Sequence, residues 1–196
     1  MKFKWIRTHI GDGKYTQLIL GQSPDSESYN KDKRGLPFYQ GKADFGIVSP
    51  TPTVWCDRPK KIALPEDILL CVRAPVGPTN VANEKCCIGR GLAAIRCLEG
   101  LDYRYLLLVM RLFESEIAEK GRGSTFDAIG KDEIMRIEFR FPENMEDQIT
   151  IARELQTSLA HVEAMRQAAL KQVEGIESLS AAILREAFDF GKDETE

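Results

Sequence analysis

The residue types that most often perform catalysis are scarce in this chain, and their spacing forms no familiar active-site motif. Only two histidines, His9 and His161, occur in 196 residues, which leaves little support for Cys–His catalysis. There is no Gly-x-Ser-x-Gly elbow and no Walker loop. Five cysteines include the adjacent pair Cys86 and Cys87 but no Cys-x-x-Cys pair, and no histidine pair lies at zinc spacing. We therefore expect reduced, mostly buried thiols, no metal or cofactor, and no catalytic residues.

One glycine-rich turn has the composition of a phosphate-binding loop. Residues 121–125 read Gly-Arg-Gly-Ser-Thr, so that bare backbone amides and two hydroxyl groups can approach an anion closely. The turn lacks the Gly-Lys-Ser/Thr ending of a nucleotide site, and it therefore suits either a DNA phosphate contact or the C-cap of a helix. No Asp/Glu-x-Lys triplet of the kind that many nucleases use follows Pro24-Asp25, and the Asn/Asp-Pro-Pro-aromatic motif of adenine methylases is missing. If the protein works on DNA, it binds the DNA and another protein carries out the chemical reaction.

The net charge of −3 hides a division along the chain. Residues 1–141 carry 22 Lys and Arg against 18 Asp and Glu, whereas residues 142–196 carry 5 against 12. A modest positive balance permits contact with DNA phosphates, although many surfaces carry as much solvated charge. The longest apolar run, Tyr105–Met110, is far below the roughly 18 residues that a membrane span needs. We expect a cytoplasmic protein with no membrane association.

The element that must organise any binding residues is one long amphipathic helix from about Pro142 to Phe190. Apolar positions follow alternating steps of three and four, the spacing of a coiled-coil seam, and Arg166 and Ser180 are its only polar members. At about 1.5 Å per residue the helix is roughly 65 Å long, too long for a small domain to cover. The sequence therefore predicts a partner helix, supplied by another copy of the chain or by another protein; the alternative is a terminal helix folded back on its own domain. The seam residues chosen for pairing are Leu155, Leu159, Val162, Val173, Ile176 and Ile183.

The preceding residues, 1–141, have the pattern of a mixed, mostly β domain. Polar loop residues between Gln22 and Gly35, and a Pro- and Gly-bounded segment at 36–46, are the places where recognition residues tend to lie. The complete prediction is an α+β protein with a domain at 1–141, then a long helix and a short acidic tail at 142–196. Within the domain, periodicity predicts an edge strand in Lys2–Ile10, a buried strand at Asp67–Arg73, a bent or bulged strand at Cys86–Cys97, a helix over Asp102–Lys120 and a half-buried strand at Met135–Phe141.

Six segments of the chain, taken in their order along the sequence, resemble the specificity subunit of type I restriction–modification systems. The resemblance extends over nearly the whole chain, and the order of the segments makes it specific. They are GQSP at 21–24, LPFYQGKADFG at 36–46, DILLCVRAPVGPTNVA at 67–82, CCIGRGLAAIR at 86–96, GSTFDAIGKDEIMRIEFRFP at 123–142 and the Gln-x-x-Ile-Ala-x-x-Leu helix start at 148–155.

This resemblance implies a DNA-binding subunit without catalysis of its own. In that family two target recognition domains, each followed by a long helix, read the halves of a bipartite site, and the two helices pair antiparallel. Methylase subunits dock on the specificity subunit, and a motor–nuclease subunit can join them. This sequence has one such domain and one helix, which fits a natural half subunit, a split or cassette gene, or a truncated copy. We therefore expect a homodimer paired through the helix and a bipartite palindromic target.

The implied DNA contacts fall into two groups. The residue types that read base edges are Arg73, Arg90, Arg122, Gln40 and Asn80. The residues expected to hold phosphates are Lys31, Lys33, Arg34, Lys42 and Lys131, with Ser124 and Thr125 acting through their hydroxyls. For each of them a solvated surface position is an open alternative, and Tyr39 fits the core better than a base contact. The competing function is a non-DNA adaptor protein dimerised by its coiled coil.

Overall fold

A computed structural model describes residues 3–121 and 128–188. These residues fold into short strands followed by helices, and the α+β class with one long terminal helix is confirmed. The strands are β1 (Trp5–His9), β2 (Thr16–Leu20), β3 (Tyr29–Asn30), β4 (Leu36–Tyr39), β5 (Trp55–Cys56), β6 (Ile62–Ala63), β7 (Ile68–Cys71), β8 (Thr79–Val81), β9 (Cys86–Ile88), β10 (Leu92–Cys97) and β11 (Glu138–Pro142). The α-helices are α1 (Tyr103–Leu112), α2 (Glu114–Gly121), α3 (Lys131–Met135) and α4 (Met145–Ala187).

The strands form three sheets. A four-stranded antiparallel sheet has the order β2-β10-β7-β8, and a five-stranded sheet has the order β3-β5-β4-β9-β6. In the second sheet β4 and β9 run parallel, while the other pairs are antiparallel. The third sheet is the antiparallel pair β1-β11, which joins the beginning of the domain to its end.

The four-stranded sheet is buried on both faces, which explains the unbroken apolar run of β7. Ile68 and Leu70 belong to a core cluster with Leu106 and Met110 of helix α1, whereas Leu69 belongs to a second cluster on the other face. Because alternate residues of a strand point to opposite faces, a strand covered on both sides has apolar residues throughout. The buried strand predicted at Asp67–Arg73 is confirmed.

The single helix predicted over Asp102–Lys120 is wrong, because the structure contains two helices. Asp102 caps helix α1, its side chain accepting hydrogen bonds from the amides of Arg104 and Tyr105. Phe113, with φ −87° and ψ 0°, is the C-cap of helix α1, and helix α2 begins with the next residue. The apolar spacing does not reveal this break, because Ile117 is buried as a continuous helix would require.

The strand predicted from Met135 begins too early. Met135 ends helix α3, whose start is held by the carboxylate of Glu133 accepting a hydrogen bond from the Gly130 amide at 2.7 Å. Strand β11 begins at Glu138, and its inward residues Phe139 and Phe141 are buried, as the alternation predicted.

The side-chain amide of Gln148 connects the first turn of helix α4 to the domain by hydrogen bonds. The side chain of Gln148 is fully buried; its Oε1 accepts a hydrogen bond from the Asp102 amide at 2.9 Å, and its Nε2 donates to the carbonyls of Gly100 (2.9 Å) and Pro142 (2.8 Å). The chain divides into two compact units between Ala152 and Arg153. The first turns of α4 therefore belong to the domain, and the helix spans 43 residues in all.

Candidate nucleic-acid interface

Three side chains predicted to read DNA lie around one small cavity of the domain. The cavity has a volume of about 170 Å³ and is lined by Ser23, Gln40, Gly41, Arg73, Ala74, Arg90 and Gly91. Gln40 directly follows strand β4, Arg73 lies two residues beyond β7, and Arg90 lies in the turn before β10. The ends of strands from two sheets thus bring together residues that are distant in the sequence.

The turn at residues 89–91 joins these strand ends through its backbone. The Gly89 amide donates to the carbonyl of Tyr39 at 2.8 Å, and the carbonyl of Gly91 accepts from the Val72 amide at 2.9 Å. A Cβ atom on Gly91 would lie 2.1 Å from the carbonyl oxygen of Gln40, so only glycine permits this approach. The bent strand predicted at 86–97 is wrong for this reason: the chain passes from one sheet to the other here, which makes β9 and β10 separate strands.

The loop that contains Ser23 is anchored to the same turn. The Arg90 amide donates to Oγ of Ser23 at 3.3 Å, and the Gln22 amide donates to the carbonyl of Ile88 at 3.0 Å. Ser23 was not among the predicted contacts. The GQSP motif around it was the available signal, but nothing in its local pattern indicated proximity to Arg90.

Arg73 and Arg90 are exposed and have no acidic partner among the residues that the structure describes. Other arginines of the domain are committed to structural ion pairs: Arg96 binds the buried carboxylate of Asp67 through two hydrogen bonds of 2.9 and 2.7 Å, and Arg104 binds Asp102. Two guanidinium groups without an acidic partner in the described ranges lie beside an exposed amide, and together they form a cluster of hydrogen-bond donors. Such a cluster suits a phosphate or the acceptor-rich edge of a base pair.

The predicted phosphate-binding residues of the next loop are exposed. Lys31, Lys33 and Arg34 lie in the turn between strands β3 and β4. Lys33 has φ 60° and places its ammonium 5.8 Å from the centre of the Trp55 ring. Lys42 is also exposed, with its ammonium 5.7 Å from the centre of the Phe45 ring.

Asn80 and Lys131 do not join the cavity. The side chain of Asn80 is buried; its Nδ2 donates to the carbonyl of Gly46 at 2.9 Å, and its Oδ1 accepts from the Val81 amide at 2.8 Å. We therefore correct its predicted role from base contact to support of the loop at Gly46. Lys131, at the start of α3, lines a different cavity together with residues such as Thr16. The predicted contacts Arg122, Ser124 and Thr125 lie outside the residues that the structure describes.

No His, Cys, Asp or Glu side chain is among the described residues that line the cavity of this donor cluster. In the described part of the chain, no group of three or more His, Cys, Asp or Glu side chains could hold a metal ion. Burial raises the pKa of four thiols to about 12, which keeps them protonated near neutral pH; they are those of Cys71, Cys86, Cys87 and Cys97. All five cysteines are free and four are buried, as predicted. Tyr39, fully buried, is confirmed as a core residue.

The seam of helix α4 is exposed beyond the domain unit. The seam residues keep between 47% and 67% of their surface accessible, and they are Leu155, Leu159, Val162, Val173, Ile176 and Ile183. From Arg153 to Phe188, every side chain whose burial is described is exposed. The polar seam member Arg166 makes two 2.8 Å hydrogen bonds to Glu163 on the same helix, which lower the pKa of that carboxyl to about 2. In the described residues no helix is both long enough and apolar enough to cross a membrane.

The family model of the type I restriction modification DNA specificity domain matches residues 9–174. The chain belongs to this family. The match includes both the donor cluster of this specificity domain and most of its long helix.

The specificity domain is similar to proteins about twice its length. It is 39% identical over 181 residues to the putative type I restriction enzyme MjaX specificity subunit of Methanocaldococcus jannaschii, covering 92% of this chain and 41% of that protein. A solved structure described as the basis of complex assembly and conformational transition of the type I R-M system has a TM-score of 0.87 and 41% identity, with 96% of this chain and 46% of the other covered. The HsdS subunit from Thermoanaerobacter tengcongensis has a TM-score of 0.79 and 40% identity, covering 95% and 45%. The chain thus spans less than half the length of these relatives.

Proposed function

We propose that this chain reads one half of a bipartite DNA sequence for a type I restriction–modification system. The observation that carries the proposal is the convergence of Gln40, Arg73 and Arg90 on one cavity without acidic partners among the described residues. Guanidinium groups form bidentate hydrogen bonds to guanine and an amide does so to adenine, each worth roughly 1–3 kcal/mol of discrimination. Lys31, Lys33, Arg34 and Lys42 add phosphate contacts that position the domain on the duplex.

The long helix sets the spacing between two such domains. Two copies pair antiparallel through the exposed seam, and the two-fold symmetry of the dimer then matches the two-fold symmetry of its DNA site. The target is then a bipartite palindrome whose spacer is fixed by the helix pair. The exposed apolar seam of α4 supports this pairing, because burying it removes apolar surface from water.

Catalysis and assembly come from other subunits. The relatives are described as parts of type I restriction systems, and we extend from them the docking of methylase subunits and of a motor–nuclease subunit. The chain works as the cytoplasmic recognition component and does not itself methylate or cut DNA.

The test is a comparison of cognate and scrambled duplexes over a salt series. A target is first enriched from random duplexes with the unmodified protein, and dissociation constants are then measured for Arg90→Ala, Arg73→Ala and the control Arg111→Ala. Arg111 is an exposed arginine in the last turn of helix α1. Loss of a base contact should weaken cognate binding by about 5- to 150-fold, with a much smaller effect on scrambled DNA.

The control separates recognition from overall charge. Arg111→Ala removes the same charge and should leave the ratio of cognate to scrambled affinity unchanged. Equal losses on both duplexes for Arg73→Ala and Arg90→Ala would remove these residues from the readers. Failure of the unmodified protein to enrich any sequence would overturn the proposed function.

A further inference from the structure

Two aliphatic side chains at the tip of one turn point into solvent. Ile47 is 97% exposed and Val48 is 75% exposed. Turns usually carry Gly, Asn, Asp, Ser or Pro at such positions, because these residues satisfy the backbone and interact well with water. Formation of the turn therefore does not explain why two adjacent aliphatic residues occupy its tip.

The turn holds this aliphatic pair in a defined position. The Gly46 amide donates to the carbonyl of Ser49 at 3.2 Å, and Phe45 and Pro50 form a backbone bridge beneath the tip. The buried amide of Asn80 donates to the carbonyl of Gly46. A β-carbon on Gly46 would lie 2.5 Å from the Ser49 carbonyl oxygen, so glycine permits the tight closure.

The root of this turn is also a wall of the donor cavity. The carboxylate of Asp44 accepts hydrogen bonds from the amides of Gln40 at 2.6 Å and Gly41 at 3.2 Å. Gln40 and Gly41 both line the cavity with Arg73 and Arg90. The aliphatic tip and the donor cluster are therefore two parts of one hydrogen-bonded unit.

We propose that Ile47 and Val48 read the 5-methyl groups of thymines in the major groove of the target. This inference rests on the proposed function and adds an apolar contact to the donor cluster. Among the four bases of DNA only thymine presents a methyl group in that groove, and an aliphatic side chain identifies it by excluding water.

Charge and size favour DNA over a protein as the occupant. The ammonium of Lys42 lies 5.7 Å from the ring centre of Phe45, directly beneath the tip, so a cation accompanies the aliphatic pair. A specific protein interface buries about 800 Å² on each partner, and two aliphatic side chains supply only a small part of that area. The methyl groups of one or two thymines, by contrast, are small enough to be covered by two aliphatic side chains.

The test replaces thymine by uracil, which removes only the methyl group. A target is enriched from random duplexes with the unmodified protein, and each thymine is then replaced in turn. We expect a loss of affinity of about fourfold for each methyl group that the tip buries, at one or two positions of each half-site. The double variant Ile47→Ala, Val48→Ala should bind the thymine and uracil duplexes equally at those positions and keep its preference elsewhere.

Leu112→Ala serves as the matched control. Leu112 is 79% exposed at the end of helix α1, and its truncation should leave the thymine preference intact. A thymine preference that survives in the double variant, or an enriched site without thymine, overturns the inference while the proposed function stands. Binding of a methylase subunit that depends on Ile47 and Val48, with DNA preference unchanged, overturns it in favour of a protein contact. If the unmodified protein enriches nothing, the proposed function itself fails.

Discussion

Leu159→Asp tests whether the seam of helix α4 joins two copies of this chain. Leu159 is the second of the six seam residues and keeps 51% of its surface accessible. In a helix pair that surface becomes buried, and a carboxylate at the same position would face apolar side chains without a partner. The substitution should therefore weaken self-association and leave the domain unaffected.

The expected size follows from the area still available for burial. Complete burial of a leucine contributes about 1.5–3 kcal/mol, so the exposed half of Leu159 contributes on the order of 1 kcal/mol in each copy. Burying an unpaired polar group costs about 1 kcal/mol or more. Since both copies carry the change, the dimer loses on the order of 4 kcal/mol, which raises its dissociation constant roughly a thousandfold.

Sedimentation equilibrium across a concentration series measures this constant. The matched control is Ala164→Asp, which adds the same charge to an exposed position of the helix outside the seam; circular dichroism reports whether each variant remains helical. We expect Ala164→Asp to dimerise like the unmodified chain. The reasoning is refuted if the unmodified chain is monomeric at high concentration, or if both variants associate equally.

Two further predictions concern stability. Gln148→Ala should lower the free energy of unfolding by about 3 kcal/mol, because it leaves three backbone groups, two buried and one half-buried, without their partner. Urea denaturation measures this, and the exposed Gln156→Ala should change it little. The raised pKa of four thiols should make the fold sensitive to alkali: their protonated form is favoured in the folded state, so stability is complete below the ordinary thiol pKa of 9.0 and is lost as pH rises towards 12. Denaturation at a series of pH values tests this, and a stability that stays constant from pH 8 to 11 would contradict it; the thiols concerned are those of Cys71, Cys86, Cys87 and Cys97.

Features governed by local periodicity were predictable. The seam of α4 repeats over its length, and the apolar run of β7 matches a strand buried on both faces. Boundaries were less accurate where a turn depends on one particular contact. Helix α3 takes Met135 away from the predicted strand, and the backbone at Phe113 divides the predicted helix in two.

The candidate site could be predicted in residue type but not in arrangement. Arginine, glutamine and asparagine are all candidates for base contacts in a sequence, yet Asn80 is buried and hydrogen-bonded to the loop at Gly46 whereas Arg73 and Arg90 are exposed. Hydrogen-bonding partners and solvent exposure decide this difference, and both depend on neighbours far along the chain. Ile47 and Val48 were missed because an apolar pair in a sequence gives no sign of being held outside the core.

By itself the sequence determined the class of fold, the long helix with its apolar seam and the family resemblance, because these depend on repeated spacing and on the order of short segments. Only the tertiary structure decided which donors share a cavity. Gln40, Arg73 and Arg90 follow or precede different strands, and they meet because two sheets place those strand ends together at a turn where Gly91 permits close backbone approach. Such convergence is a property of strand pairing between distant segments, which local sequence patterns do not encode.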